Sequence, residues 1–386
     1  MADRPTDQDD EPTKPAGSGE SIDSGKGRIF PCDECGADLQ FSIGTQTMKC
    51  PYCGAVKTIE ISETAEIVEH DFHAMLEQLK TQRLEEKPDD ETAESEHAIR
   101  CSSCGAEVIF QGTLTSSQCP YCANPLQRDK IHDAPTRIAV DGMLPFQVPE
   151  RDAAERLRNW VKSLWWAPNE FLKQGASGKF NGVYLPYYTF DSQTDTKYAG
   201  QRGDHYWVTV GEGKDQRREM RTSWSFRSGE FQRFFDDVLI VAASDQSRAL
   251  IESLEPWPLE QCVPFTQQML AGLFARTYDV TLDAGFSEAR LRIESALTSD
   301  IRQRIGGDEQ SITSQKVSYS GVTFKHLLLP VWLMAYRYKE KPYRVVINAV
   351  TGEVSGERPY SAIKIASAVL FGITVAISVW LLIQSR

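Results

Sequence analysis

Cys32-Asp33-Glu34-Cys35 with Cys50-Pro51-Tyr52-Cys53, and Cys101-Ser102-Ser103-Cys104 with Cys119-Pro120-Tyr121-Cys122, decide how the first third of the chain is read. Both sets follow C-x2-C-x14-C-x2-C, and laying Cys32 over Cys101 also puts Gly36 over Gly105, Ala37 over Ala106 and Phe41 over Phe110. Two residues between cysteines form a tight knuckle that aims both thiolates at one ion, and two knuckles on adjacent hairpins complete a tetrahedron. The expectation is two small β zinc ribbons, residues 28–58 and 98–130. Their ligands are Cys32, Cys35, Cys50 and Cys53, and Cys101, Cys104, Cys119 and Cys122, with one Zn2+ each. A closed four-thiolate shell leaves no open coordination position, so both ions would be structural.

Other chemistries use similar knuckles. Rubredoxin-like iron cages place a longer excursion between them. Cys-Pro-Tyr-Cys alone is also the active-site sequence of glutaredoxins, but that chemistry needs a thioredoxin-like βαβ setting. The ninth cysteine, Cys262, has no partner nearby in sequence and reads as a buried structural thiol.

Outward from the cysteines, residues 1–27 are rich in Asp, Glu, Gly, Ser and Pro and read as a disordered acidic tail. Residues 59–97 read as a helix carrying Ile67, Val68, Phe72, Leu76 and Leu79, then an acidic linker. His70 and His73 would lie on that helix's solvated face.

Residues 131–360 change to an aromatic-rich mixture that reads as an α+β body with antiparallel strands. Strand-like runs are 183–190, 206–210, 238–242, 327–338 and 343–350, and amphipathic stretches are 152–165 and 287–305. Turns at Lys339-Glu340-Lys341-Pro342 and Thr351-Gly352 suggest a closing meander. Val183-Tyr184-Leu185-Pro186-Tyr187-Tyr188 and Leu327-Leu328-Leu329-Pro330-Val331-Trp332 are weakly similar, as a duplicated half-domain or two buried strands sharing a Leu-Pro step would be.

Residues 365–383 form an uncharged apolar run, inside a final segment 361–386 that reads as a transmembrane anchor. Tyr360 and Trp380 fall where interfacial aromatics belong, and Arg358 and Lys364 precede the span while Arg386 follows it. That asymmetry puts the N-terminal bulk in the cytoplasm, in keeping with reduced cysteines. Ala368, Gly372 and Ala376 make a small-residue stripe through which anchors would associate.

A formal net charge of −12 argues against general affinity for nucleic acid or anionic lipid. The ribbons have no basic stripe: Arg28, Lys49 and Lys57 stand against Asp33, Glu34 and Asp38, and Arg100 and Arg128 against Glu107. No P-loop, Gly-x-Ser-x-Gly elbow or His-Glu-x-x-His is present, so the chain is not expected to be an enzyme. Asp236 and Asp237 are adjacent strand residues, which would point to opposite faces and not share a site.

The paired ribbons, Leu144-Pro145-Phe146, Gly182-Val183-Tyr184-Leu185-Pro186, His326-Leu327-Leu328-Leu329-Pro330-Val331-Trp332, Asn348-Ala349-Val350-Thr351-Gly352-Glu353 and the final helix together carry a resemblance. The chain resembles bacterial membrane-anchored double zinc-ribbon proteins, labelled transcription factor IIB-type zinc ribbon or "primosomal protein N-prime, superfamily II helicase-like". That resemblance implies a non-enzymatic adaptor at the cytoplasmic face of the bacterial inner membrane. Its partners would be proteins such as phage-shock protein A or flotillin-like proteins of envelope-stress systems. The competing expectation is a nucleic-acid-binding ribbon protein without its own ATPase.

Overall fold

Two antiparallel strands of thirty residues, β9 (Asn181–Val210) and β13 (Glu309–Tyr338), organise the body in the computed structural model. The structure describes residues 30–37, 39–59, 66–85, 98–100, 107–109, 131–132, 138–174, 178–211, 216–244, 247–276, 278–339 and 341–384. The acidic tail and the cysteines of the second ribbon, Cys101, Cys104, Cys119 and Cys122, lie outside them. The short strands β1 (Gln40–Ser42), β2 (Thr47–Lys49) and β3 (Val56–Thr58) form a separate three-stranded sheet in that order. β4 (His70–Asp71) leads into α1 (Phe72–Glu85), and β5 (Ala98–Arg100), β6 (Glu107–Ile109), β7 (Ile131–His132) and β8 (Gly142–Met143) follow. The body continues with α2 (Glu150–Ser163), α3 (Asn169–Gln174), β9, β10 (Arg217–Val241), α4 (Arg248–Glu252), β11 (Val263–Pro264), β12 (Phe274–Ala275) and α5 (Leu282–Ile305). After β13 come β14 (Lys341–Asn348), β15 (Val354–Gly356) and α6 (Ala362–Gln384).

β9 and β13 pair from Asn181 opposite Leu333 to Gly203 opposite Glu309, while β10 runs along the other side of β9. At about 3.3 Å per residue β9 is about 100 Å long, so its distal half projects as a blade. The runs 183–190 and 206–210 are therefore parts of one strand. The intervening polar residues conceal it: Ser192, Thr194 and Thr196 are buried on one face, and Gln201 is exposed on the other.

The two Leu-Pro segments lie against one another at the sheet's centre, with Leu185 directly opposite Leu329. Pro186 accepts from the Ala242 N–H and Pro330 from the Ala349 N–H, both outside the β9–β13 ladder. N–H and C=O of one strand residue point the same way, so each proline ring replaces a donor that this shared ladder does not use.

Strand alternation sets the cores. Val183, Leu185, Tyr187, Leu327, Leu329 and Val331 pack on Ile251, Leu254 and Trp257. On the opposite face Tyr184, Leu328 and Trp332 meet Phe146 and the buried stripe Ala153, Leu157 and Val161 of α2. Farther along that face, α5 lays Leu282, Gly285, Ala289, Ile293, Leu297, Ile301 and Ile305 onto the blade. Gly200 is the sheet's concession to this helix: a Cβ there would collide with the Ser311 carbonyl and lie 2.7 Å from Ile305 Cδ1.

The helix expected from Ile59 onward begins only at Phe72. Ile67 and Val68 are non-helical, and His70 sits in β4 pairing with Phe324, so it is not on a helix face. His70 Nε2 is 2.7 Å from Asp141 Oδ1, whereas His73 is exposed as expected. The C-terminal span is one helix, α6, long and apolar enough to cross a membrane, with none of it buried against the body.

Candidate metal centre

Each half of the first ribbon repeats Cys-x-x-Cys-Gly-Ala, and each repeat folds the same way. The Cys32 N–H donates to Ala37 O at 2.7 Å and the Gly36 N–H returns to Cys32 O at 2.8 Å. Likewise the Cys50 N–H donates to Ala55 O at 2.8 Å and the Gly54 N–H to Cys50 O at 3.1 Å. Closing the loop over two cysteines requires the left-handed region at the fifth residue, where Gly36 has φ 68° and Gly54 φ 78°.

The knuckles bring Cys32 Sγ to 3.5 Å from Cys53 Sγ and Cys35 Sγ to 3.5 Å from Cys50 Sγ, with all four sulfurs within 4.8 Å of one another. This is the only four-cysteine cluster among the described residues. Cys32 and Cys50 are buried, Cys35 and Cys53 face outward. The N–H groups of Cys53 and then Tyr52 draw the Cys50 thiol down to about 6, despite burial. At Cys53 the Ala55 N–H pulls the same way, but burial and the three neighbouring sulfurs outweigh it and push the thiol up to about 12. Four sulfurs converging within 4.8 Å form a cage whose geometry fits a metal ion at its centre.

The ribbon is seated on the body. The Phe41 N–H donates to Ala271 O at 2.9 Å, and the Phe41 ring enters the core that holds Phe146 and Met269. Cys32, Leu39, Met48 and Cys50 pack together with Ala271.

A second titratable cluster forms where Asp236 and Asp237 were expected to diverge. The β9–β10 register shifts between Phe235 and Val238, and Asp237 adopts φ 49°. This bulge breaks strand alternation, so both acids bring oxygens within 4.8 Å of Asp191. Lys325 Nζ sits 2.7 Å from Asp237 Oδ1, 3.1 Å from Glu69 Oε1 and 4.0 Å from Asp191 Oδ2. Burial pushes the Asp191 carboxyl up to about 6 against the opposing pull of the Asp237 N–H and Lys325. The ammonium already supplies the cation these acids need, and the cluster ties the segment before α1 to β10 and β13. Beside it lies a cavity of about 110 Å³, lined by Cys262, Leu259, Ile67 and Leu327. Cys262, expected as a buried structural thiol, is half-buried, and the burial it has raises the thiol to about 12.

Three pairs of adjacent aromatics divide by burial: Tyr187 and Tyr188 are buried on opposite faces, whereas Trp165 with Trp166 and Tyr206 with Trp207 are exposed. Trp165 and Trp166 stand at the foot of α6. Ser361 N–H donates to Trp166 O at 2.8 Å, and Lys364 Nζ donates to Trp165 O at 3.0 Å and Ala167 O at 2.9 Å.

No family model and no solved structure matches the chain. It is 25% identical over 347 residues to the uncharacterized protein YdjG of Bacillus subtilis (strain 168), an alignment covering 88% of this chain and 92% of that protein.

Proposed function

We propose that the chain is a non-enzymatic, membrane-seated adaptor whose zinc ribbons present a surface to protein partners at the cytoplasmic face of a bacterial membrane. The junction between body and span carries the reading. After the short segment 357–361, α6 starts with its first turn held by Ser361 and Lys364 onto the loop between α2 and α3. A span fixed in this way would hold the body, and the ribbon docked on it, at a set height and angle above the bilayer. Exposed Trp165, Trp166 and Tyr360 surround that foot as an interfacial belt would. Arg358 and Lys364 before the span favour the cytoplasmic side for the body.

Zinc is the ion we assign. Bonds of about 2.3 Å to tetrahedral zinc set sulfurs about 3.8 Å apart, close to the separations here, and four thiolates close the shell against catalysis. The same assignment extends by register to Cys101, Cys104, Cys119 and Cys122. Nucleic-acid binding has less support: Lys57 lies 3.8 Å from Asp33, so a ribbon cation is already paired.

Affinity capture of tagged full-length protein from native membranes, beside a Cys50→Ser, Cys119→Ser variant, tests the reading. Loss of specific partners from the variant supports it. An unchanged set of partners, or capture of nucleic acid in place of protein, refutes it.

A further inference from the structure

Alongside α5 and past its end, the blade presents a long strand edge. Among the described residues β10 bonds only to β9, and their register is unbroken from Arg217 opposite Val210 to Phe235 opposite Ser192. Over these nineteen residues every second residue turns its backbone N–H and C=O outward, with no strand beyond them among the described residues. The other blade edge, β13, is blunted by register shifts between Ile312 and Ser314 and between Ser320 and Thr323, the second at Gly321 with φ 57°. Bulges of this kind protect an edge from pairing, and β10 has none before Phe235.

The two faces of this edge differ. Phe231 and Phe235 project toward α5, where they pack with Ile293 and Leu297. By alternation Met220, Trp224, Phe226 and Phe234 project from the opposite face, and all four are exposed, Phe226 by 67%. On the α5 side an open groove of about 500 Å³, lined by Phe231, Arg233, Asp300 and Arg304, runs beside the edge.

We infer that two copies of the chain join edge to edge through β10, antiparallel about a twofold axis at Phe226. The sequence is self-complementary in this register. Glu219 comes opposite Arg233 of the second copy, twice by symmetry, Phe226 meets Phe226, and nowhere between Arg217 and Phe235 do like charges oppose. Arg218 faces Phe234 of the second copy on the apolar side, and Arg221 faces its Phe231 on the groove side, each a cation beside an aromatic ring. The groove receives Glu219 of the second copy next to Arg233 and Arg304. Shifting the twofold by one residue to Ser225 or Arg227 places arginine opposite arginine, Arg217 on Arg233 or Arg221 on Arg233. A twofold perpendicular to the sheet keeps α5 of both copies on one face and joins the exposed aromatic strips on the other. The α6 anchors then leave from opposite ends of the joined sheet, about 120 Å apart at strand rise. Because that exceeds any bilayer thickness, both can enter one membrane only with the sheet along its surface and the twofold along the membrane normal.

Cysteine cross-linking of the full-length chain, in native membranes and in detergent, tests the pairing without reference to metal or partners. Phe226→Cys should form a covalent dimer under mild oxidation, because paired Cα atoms across antiparallel strands lie about 4.5–5.5 Å apart. Arg217→Cys, on the same strand, should remain monomeric, its two copies being about 60 Å apart. Glu219→Arg should weaken the detergent-solubilised dimer roughly tenfold, and adding Arg233→Glu should restore it. No Phe226→Cys dimer above wild type, equal cross-linking by Arg217→Cys, or no rescue in the double variant would each overturn the pairing.

Discussion

Lys364 Nζ donates to the main-chain oxygen of Trp165 at 3.0 Å, joining the first turn of the apolar helix to a body loop two hundred residues earlier. A bilayer crossed by α6 would therefore meet Trp165 and Trp166 at the depth where the span enters lipid. In full-length protein reconstituted into vesicles, Trp165→Ala with Trp166→Ala should cut tryptophan quenching by lipids brominated near the headgroup. The quenching due to Trp380, which lies toward the far interface of the span, should persist. Unchanged shallow quenching would remove the loop from the interface while leaving the span itself intact.

Cys50 supplies a buried sulfur to the four-cysteine cluster and belongs to the small core that includes Ala271. Cys50→Ser should lower bound zinc by one ion per chain, read by elemental analysis. Hydrogen exchange at the Phe41 N–H, which bonds Ala271 O, should speed up as the ribbon loosens. Retained zinc with unchanged exchange would show that the cluster is not the metal site.

Asp191 titrates at about 6 in the fold against an ordinary value of 3.8. A carboxyl raised in this way stabilises the fold when protonated; its contribution is full below the unfolded value and is lost as pH rises toward the folded one. The melting temperature of wild type minus that of Asp191→Asn should therefore fall between about pH 4 and pH 6 and level off above. A difference that does not vary with pH would mean that the Lys325 cluster compensates the burial fully.

Leu297 is fully buried between α5 and the blade, whereas Phe226 is exposed. Leu297→Ala should destabilise the body by about 2–5 kcal/mol in denaturant unfolding. Phe226→Ser should change the stability of the monomer by less than about 0.5 kcal/mol. Equal costs would mean that the blade is packed differently.

Much of this was legible in the sequence. Cysteine spacing carries the knuckles, because coordination geometry is local, and hydropathy carries α6, because a bilayer selects on length. The α+β class and the existence of α2 and α5 followed from periodicity, although α2 runs from Glu150 to Ser163 and α5 starts at Leu282, five residues before the expected 287. The blade did not, since Ser192, Thr194 and Thr196 are buried yet polar and break the apolar run of β9 into two apparent strands. The Asp191–Asp237–Lys325 cluster was hidden because a bulge at Asp237 overrides alternation and its lysine lies about ninety residues downstream. The seat of α6 on the α2–α3 loop, where Lys364 bonds Trp165 O, is a contact across about two hundred residues that no local pattern announces.

The proposed adaptor is one molecule both metal-held and membrane-seated. Zinc measured per chain in full-length protein, purified from membranes that have been washed with alkaline carbonate, tests this most directly. The prediction is about two zinc ions per chain in the carbonate-resistant fraction. Protein released by carbonate, or retained without zinc, would contradict it.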